Sequence, residues 1–124
     1  MRMNIVGAQA FSRSERQAMR EIERDSRDAF VEVLGFRPFV ETIHAMTPEE
    51  VAQDTGNDGG AGYMEIRQAR SRYPQIKIAI APGLGARRTK EVWVEEQAHA
   101  IAPELSERMV RGTVVPEIMR RSRR

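Results

Sequence analysis

The feature that most constrains this chain is a long apolar stripe at helical spacing between Ser12 and Gly35. Ser12 and Glu15 form the Ser-x-x-Glu capping box, which satisfies free N–H groups at the start of a helix, and Gly35 stands where a C-cap glycine ends one. The spacing predicts one amphipathic helix over residues 13–34. Its apolar face would consist of Ala18, Met19, Ile22, Ala29, Phe30, Val33 and Leu34.

The second pattern is an alternation of isoleucine with smaller or charged residues at 75–81 (QIKIAIA), which predicts a strand. Residues 3–8 predict a short strand or an extended lead-in. Residues 91–95 (EVWVE) also alternate, and they follow a turn at 82–85, so they predict a partner strand. Residues 75–95 therefore predict a β-hairpin with a long, positively charged loop.

Three segments in the middle of the chain have residue patterns that predict their secondary structure less specifically. Residues 36–46 fit a helix slightly better than a strand, whereas residues 63–72 fit either one. Thr47 and Pro48 begin a short helix, because Thr caps a helix well and Pro suits its first turn. The glycine-rich residues 55–62 predict a loop that is mobile, or that orders only on assembly with a partner.

The C-terminal part predicts helices that begin near Pro103 and Pro116, with an interruption at Gly112 and a frayed basic tail at 120–124. A length of 124 residues corresponds to a single domain. The order of elements predicts an α+β fold, in which the long N-terminal amphipathic helix and the C-terminal helices pack on a small antiparallel sheet.

Charge is unevenly distributed along the chain, although the net charge is only +2. Residues 36–66 contain one basic and six acidic residues, and residues 67–90 contain seven basic residues and no acidic one. Of the 20 basic residues, all but Lys77 and Lys90 are arginine, which makes bidentate contacts to carboxylates and phosphates. Such blocks suit pairing with a neighbouring molecule or pairing within one fold.

Several classes of protein are excluded or disfavoured. Cysteine is absent, which excludes disulfides, thiolate metal sites and cysteine nucleophiles. No apolar run approaches the ~18–20 residues that span a membrane, and the apolar stretch near the N-terminus is too short for a signal peptide. No serine lies in a G-x-S-x-G motif, and the glycines near residue 84 lack the spacing of a phosphate-binding loop. We therefore expect no enzymatic activity, no cofactor and a cytoplasmic location.

His99 is the one histidine whose neighbours suggest a metal site. His99 has Glu95 and Glu96 four and three residues before it, which is ligand spacing if this stretch is helical. A zinc site needs about three protein ligands, and the only other histidine is His44. Because a paired-histidine H-E-x-x-H motif is absent, the sequence favours an ordinary surface histidine and no metal.

The layout of the chain resembles the small neck and tail-completion proteins of long-tailed bacteriophages. The resemblance lies in the order of a short strand ending at Gly7, a long arginine-rich helix, the stretch Asp54-Thr55-Gly56-Asn57, and the helical end Val115-Pro116-Glu117-Ile118. It implies an α+β subunit without enzymatic activity that forms a homo-oligomeric ring between other virion proteins. The sequence departs from the family after Asn57, where it is glycine-rich instead of apolar.

The resemblance and the charge blocks together predict interaction surfaces instead of a catalytic site. In a ring, copies meet through two different patches, so the acidic region of one copy would face the basic region of the next. The acidic residues are Glu49, Glu50, Asp54 and Asp58, and the basic residues of the hairpin tip and tail are Arg67, Arg70, Arg72, Arg87, Arg88, Lys90, Arg120 and Arg121. The location implied is the virion, or the host cytoplasm before assembly. The alternative is a small basic nucleic-acid-binding accessory or regulatory protein, with contacts to the DNA backbone.

Overall fold

The computed structural model describes residues 2–35, 42–50, 62–65 and 75–123, and these residues form a mixed fold of helices and strands, in agreement with the predicted α+β class. The strands are β1 (Arg2–Ile5), β2 (Thr42–Met46), β3 (Gly62–Glu65) and β4 (Gln75–Ala79). The main helices are α1 (Arg13–Leu34), α2 (Gly85–Ile101) and α3 (Val115–Ser122). None of the helices in the described residues combines the length and apolar character that crossing a bilayer requires.

Four shorter helical segments connect these elements. A 3₁₀ turn, Ala8–Ala10, follows β1, and residues 48–50 are helical after β2, where the Thr47 hydroxyl accepts the Glu50 N–H at 3.2 Å as the sequence predicted. The helical turn Glu107–Met109 and the π-helical turn Val110–Val114 lead directly into α3.

The sheet has the order β1-β2-β4-β3, and its first three strands are parallel. Only β3, at the edge, runs antiparallel to β4. The prediction of an antiparallel sheet is therefore wrong. Strands joined through a helix return to the same end of the sheet and so run parallel, and α1 is such a connection between β1 and β2.

The predicted β-hairpin over residues 75–95 is also wrong, because its second half belongs to α2. The alternation in EVWVE arises from a helix that is buried on several sides: residues 93–98 are all buried. α2 packs against α1, α3 and the sheet, so apolar residues occupy more than one of its faces. The first half of the hairpin is confirmed as β4.

The remaining predictions have mixed outcomes. The bounds of α1 agree with the predicted helix at both ends. Residues 42–46, assigned with a slight preference for helix, form a strand instead, because they pair with β1 on one side and β4 on the other. Residues 36–41 of that segment, most of the glycine-rich loop and most of 63–72 lie outside the described residues.

The core lies between the sheet and the three helices. Its largest fully buried side chains come from every layer: Met19 and Phe30 of α1, Ile43 and Ile78 of the sheet, Trp93 and Val94 of α2, and Ile118 of α3. Trp93 is 0% exposed, and its indole N–H donates to Glu23 Oε2 of α1 at 3.3 Å. This bond satisfies the indole in a buried position and fixes the rotation of α2 about its axis.

Glu15 joins the starts of α1 and α2. Its Oε1 accepts the Ser12 N–H at 2.9 Å, which completes the predicted capping box, and its Oε2 accepts the Gly85 N–H at 2.9 Å. The two bonds lower the pKa of the Glu15 carboxyl, the one from Ser12 most strongly. A single carboxylate thus satisfies N–H groups at two helix starts.

Candidate metal centre

The candidate centre begins with two side chains on one face of α2. Glu95 and His99 are four residues apart in a helix, so their side chains are neighbours. Glu95 is buried, with an exposed fraction of 5%, whereas His99 is half-buried. One ligand is therefore held rigidly by the core, and the other reaches towards solvent.

A third side chain, Glu107, comes from the turn after α2. Ser106 caps that turn, because its hydroxyl accepts the Met109 N–H at 3.1 Å. The turn brings Glu107 back over α2, so that one ligand atom from each of Glu95, His99 and Glu107 lies within 4.8 Å of the other two. Glu107 is exposed, so its side chain can change rotamer once its ion pair with Arg111 is broken.

The three donors are a suitable set for a divalent metal ion. Zinc binds imidazole nitrogen and carboxylate oxygen at about 2.0–2.2 Å, and catalytic zinc sites use three protein ligands and leave a fourth position for water. Ligand atoms around a tetrahedral zinc lie about 3.3 Å apart, so the present spacing must close by about 1.5 Å at most. The exposed Glu107 side chain can provide this movement.

Arg111 supplies a positive charge at the same place. Its Nε lies 2.6 Å from Glu95 Oε1, and its Nη2 lies 2.8 Å from Glu107 Oε1. The hydrogen bond and the charge of Glu95 raise the pKa of Arg111. The guanidinium thus holds two of the three ligands together, and because its side chain is 61% exposed it can move into solvent when a metal ion enters.

Glu96 lies beside the cluster and is not among the three ligands. It is only 7% exposed, and its Oε2 has no hydrogen-bond partner among the described residues. Burial, followed by the negative charge of Glu95, raises the pKa of Glu96 to about 7, and the Arg111 guanidinium acts in the opposite direction. A buried carboxyl with an unused oxygen next to a candidate metal centre is a candidate for proton transfer.

The arrangement explains why sequence reasoning found only part of the site. The spacing of Glu95, Glu96 and His99 was recognised, but the missing second histidine argued against a metal. In the helical H-E-x-x-H motif, two residues four apart bind zinc and the intervening glutamate is the base; here Glu95 stands at the first ligand position. Glu107 was not predicted, because it follows a break between two helical segments and only the fold brings it to His99.

A groove of about 380 Å³ opens next to the centre. Its lining includes Glu95 and Arg111 from the centre itself and continues over the first turns of α2 and over α3: Arg87, Arg88, Glu91, Val115, Pro116, Met119 and Arg123. The volume is in the range of ligand-binding sites. The groove therefore shares Glu95 with the candidate metal centre, and its lining contains four arginines.

The basic residues predicted for the hairpin tip lie on helix α2 instead. Arg87 and Arg88 share the Glu91 carboxylate at 3.9 and 3.6 Å and line the groove. Lys90 pairs with Glu21 of α1 at 3.0 Å, so it is an internal contact. The prediction of a hairpin tip is therefore wrong for these three residues, because they lie on a helix and not on a loop.

The other predicted surface residues are dispersed. Arg120 and Arg121, expected in a frayed tail, lie within α3, where both pair with Glu117 and Arg121 also pairs with Glu32 of α1. Glu49 and Glu50 lie in the helical segment after β2, Glu49 exposed and Glu50 half-buried. Arg67, Arg70, Arg72, Asp54 and Asp58 lie outside the described residues, so their proposed contact between copies stays a prediction.

Comparison of the chain with protein-family models, with curated proteins and with solved structures found no match.

Proposed function

We propose that this protein is a metal-dependent hydrolase, in which Glu95, His99 and Glu107 hold a divalent ion such as Zn²⁺. The observation that carries the proposal is the convergence of one imidazole and two carboxylates from two separate helical segments to within 4.8 Å. This proposal differs from the expectation of a protein without enzymatic activity, which the sequence suggested because it contains no strong catalytic motif and resembles structural phage proteins.

The chemistry follows from the open position of such a centre. A bound metal ion lowers the pKa of a coordinated water to about 7. An ion held by Glu95, His99 and Glu107 would supply an activated water for attack on the carbonyl carbon of an amide or ester bond. Glu96 would accept the proton of that water and would return it to the leaving group when the bond to this group breaks. The buried position of Glu96 beside the cluster, with one oxygen unpaired, supports this role.

Metal binding tests the first half of the proposal. Chelator-treated protein should bind one equivalent of Zn²⁺ in calorimetric titration, and His99→Ala or Glu107→Gln should weaken binding by more than about 100-fold, since a ligand is lost. Matched controls are His44→Ala in β2 and Glu104→Gln, an exposed carboxylate in the loop before Glu107. The metal centre is refuted if wild type binds zinc no better than the His99 variant does.

Hydrolysis tests the second half. The zinc-loaded protein should release fluorescent fragments from labelled, denatured casein, and Glu96→Gln should reduce the rate by about 100-fold or more while the metal content stays unchanged. If the zinc-loaded protein has no activity, or if the glutamine variant is as active as wild type, the metal has another role and the enzymatic part of the proposal is wrong.

A second candidate function is the one that the sequence resemblance implies, a ring-forming virion subunit. It is supported by the exposure of Arg87 and Arg88, whose side chains are 88% and 52% exposed and which share Glu91 as their one ion-pair partner within the described part of the chain. We expect Arg87→Glu with Arg88→Glu to lower the mass of any assembly measured by light scattering, while the circular dichroism spectrum is unchanged. A wild-type protein that stays monomeric at high concentration would exclude this candidate.

A further inference from the structure

We infer that the groove beside the metal centre binds an acidic segment of a polypeptide substrate. The inference rests on the proposed hydrolase function and specifies its substrate class. It is carried by the side chains that line the groove, and in particular by the number of guanidinium donors that have no strong partner within the fold.

The arginine side chains that line the groove differ in how closely they pair with carboxylates of the protein itself. Arg111 is occupied, because it contacts Glu95 and Glu107 at 2.6 and 2.8 Å. Arg87 and Arg88, in contrast, share one carboxylate at distances of 3.6 Å or more, which are too long for strong hydrogen bonds. Each guanidinium presents five N–H donors, so this pair retains most of its capacity for a carboxylate ligand.

The far end of the groove adds a third cation. Arg123, at the end of α3, lines the groove, is exposed, and donates from Nε to the Met119 carbonyl at 3.3 Å. Its remaining N–H groups point to no carboxylate in the described part of the chain. Among the described residues that line the groove, the two carboxylates are already paired, Glu95 with Arg111 and Glu91 with Arg87 and Arg88, so the four arginines leave an excess of positive charge that attracts an anionic ligand.

The wall between these cations favours a polypeptide over a nucleic acid. It is formed by Val115, Pro116 and Met119, which offer an apolar surface for side chains. None of the described residues that line the groove is aromatic, whereas binding of single-stranded nucleic acid relies on stacking of bases against aromatic rings. Arginine forks match carboxylates bidentately, so glutamate and aspartate side chains are the expected occupants.

The test measures binding separately from hydrolysis. The zinc-loaded Glu96→Gln variant is titrated against a short fluorescein-labelled peptide of alternating alanine and glutamate, and against the same peptide with glutamine in place of glutamate. Fluorescence anisotropy should show at least about tenfold tighter binding of the acidic peptide. Adding Arg87→Gln and Arg88→Gln should abolish that preference, whereas Arg13→Gln and Arg20→Gln, two exposed arginines of α1, should leave it intact.

Each other outcome overturns the inference. Equal binding of the two peptides, or equal loss of preference in both double variants, shows that the groove does not select acidic segments. Tighter binding of labelled oligothymidylate through Arg87 and Arg88 would assign the groove to nucleic acid. Metal content is measured on the same samples. If the protein contains zinc but shows no preference for the acidic peptide, the inference is refuted and the proposed function is not. If the protein retains no zinc, the proposed function is refuted, and the peptide titration of the metal-free protein still shows whether the groove selects acidic segments.

Discussion

At the scale of single residues, the acidic side chains of this protein have clearly different roles because their surroundings differ. Glu15 accepts two backbone N–H groups, so its charged form is stabilised. Glu96 is buried next to another carboxylate and has an oxygen without a partner among the described residues, so its charged form is destabilised. The same residue type therefore serves as a helix cap in one place and as a candidate proton carrier in another.

We predict that Glu15→Gln lowers the free energy of unfolding by about 1–2 kcal/mol at pH 7. The amide keeps one acceptor for the Ser12 N–H but turns an NH₂ group towards the Gly85 N–H, which then loses its partner. Because folding lowers the pKa of Glu15 from its ordinary 4.5, its contribution is fully present above that pH and is lost as the pH falls below it.

Urea denaturation between pH 7 and pH 3 checks this prediction. The stability difference between wild type and variant should be largest at neutral pH and should shrink as the acid range is entered. Glu104→Gln, at an exposed loop position, is the control and should change little. A difference that is constant across the pH range would show that the charge of Glu15 is not the cause.

The sequence predicted the role of Glu15 only in part, for a physical reason. The capping box is local, since Ser12 and Glu15 are three residues apart, and it was recognised from its pattern. The bond to Gly85 spans 70 positions and depends on how α1 and α2 pack. Similarly, the helical spacing of Glu95 and His99 was visible in the sequence, although the sequence favoured no metal there, whereas the approach of Glu107 depends on the tertiary fold.

At the scale of secondary-structure elements, α1 and α2 show when periodicity is informative. α1 has one buried face and one exposed face, so its apolar residues recur at helical spacing and both of its ends were predicted correctly. α2 is covered by α1, α3 and the sheet, so its apolar residues appear on consecutive positions and imitate a strand. A pattern of period two is thus ambiguous when the element is central.

The π-helical turn Val110–Val114 is the element that places Arg111 against Glu95 and Glu107, two of the candidate metal ligands. We predict that Arg111→Gln increases the affinity for Zn²⁺ by about tenfold, or ~1.4 kcal/mol, because a competing cation is removed. The same change should lower the stability of the metal-free protein, since Glu95 and Glu107 lose their shared partner.

Calorimetric titration with zinc and thermal unfolding without metal measure the two effects. Arg108→Gln, an exposed arginine three residues earlier, is the matched control and should alter neither quantity. A weaker zinc affinity in the Arg111 variant would mean that the guanidinium assists the bound metal instead of competing with it.

At the scale of the whole molecule, the candidate centre would add a link between the central helix and a C-terminal segment that already packs into the core through Val110, Val114 and Ile118. Glu95 and His99 belong to the central helix, whereas Glu107 belongs to the segment that continues into α3. A metal ion bound by all three would tie the C-terminal segment to the core, and metal binding would therefore stabilise the native state.

We predict that Zn²⁺ at a free concentration 100 times its dissociation constant raises the free energy of unfolding by about 2.7 kcal/mol and the melting temperature by about 10 °C. Differential scanning calorimetry with and without a chelator measures the change. His99→Ala should remove the increase. An equal increase in that variant would place the stabilising metal elsewhere in the protein.

The parallel pairing of β1 with β2 has a consequence for how the molecule assembles itself. The chain between the two strands includes the 22 residues of α1, so the entropy of closing that long loop opposes their pairing. On the ribosome, the first strand must emerge and wait without a neighbour until residues 42–46 have been translated. We therefore expect refolding to begin with the docking of α1 and the sheet to follow it.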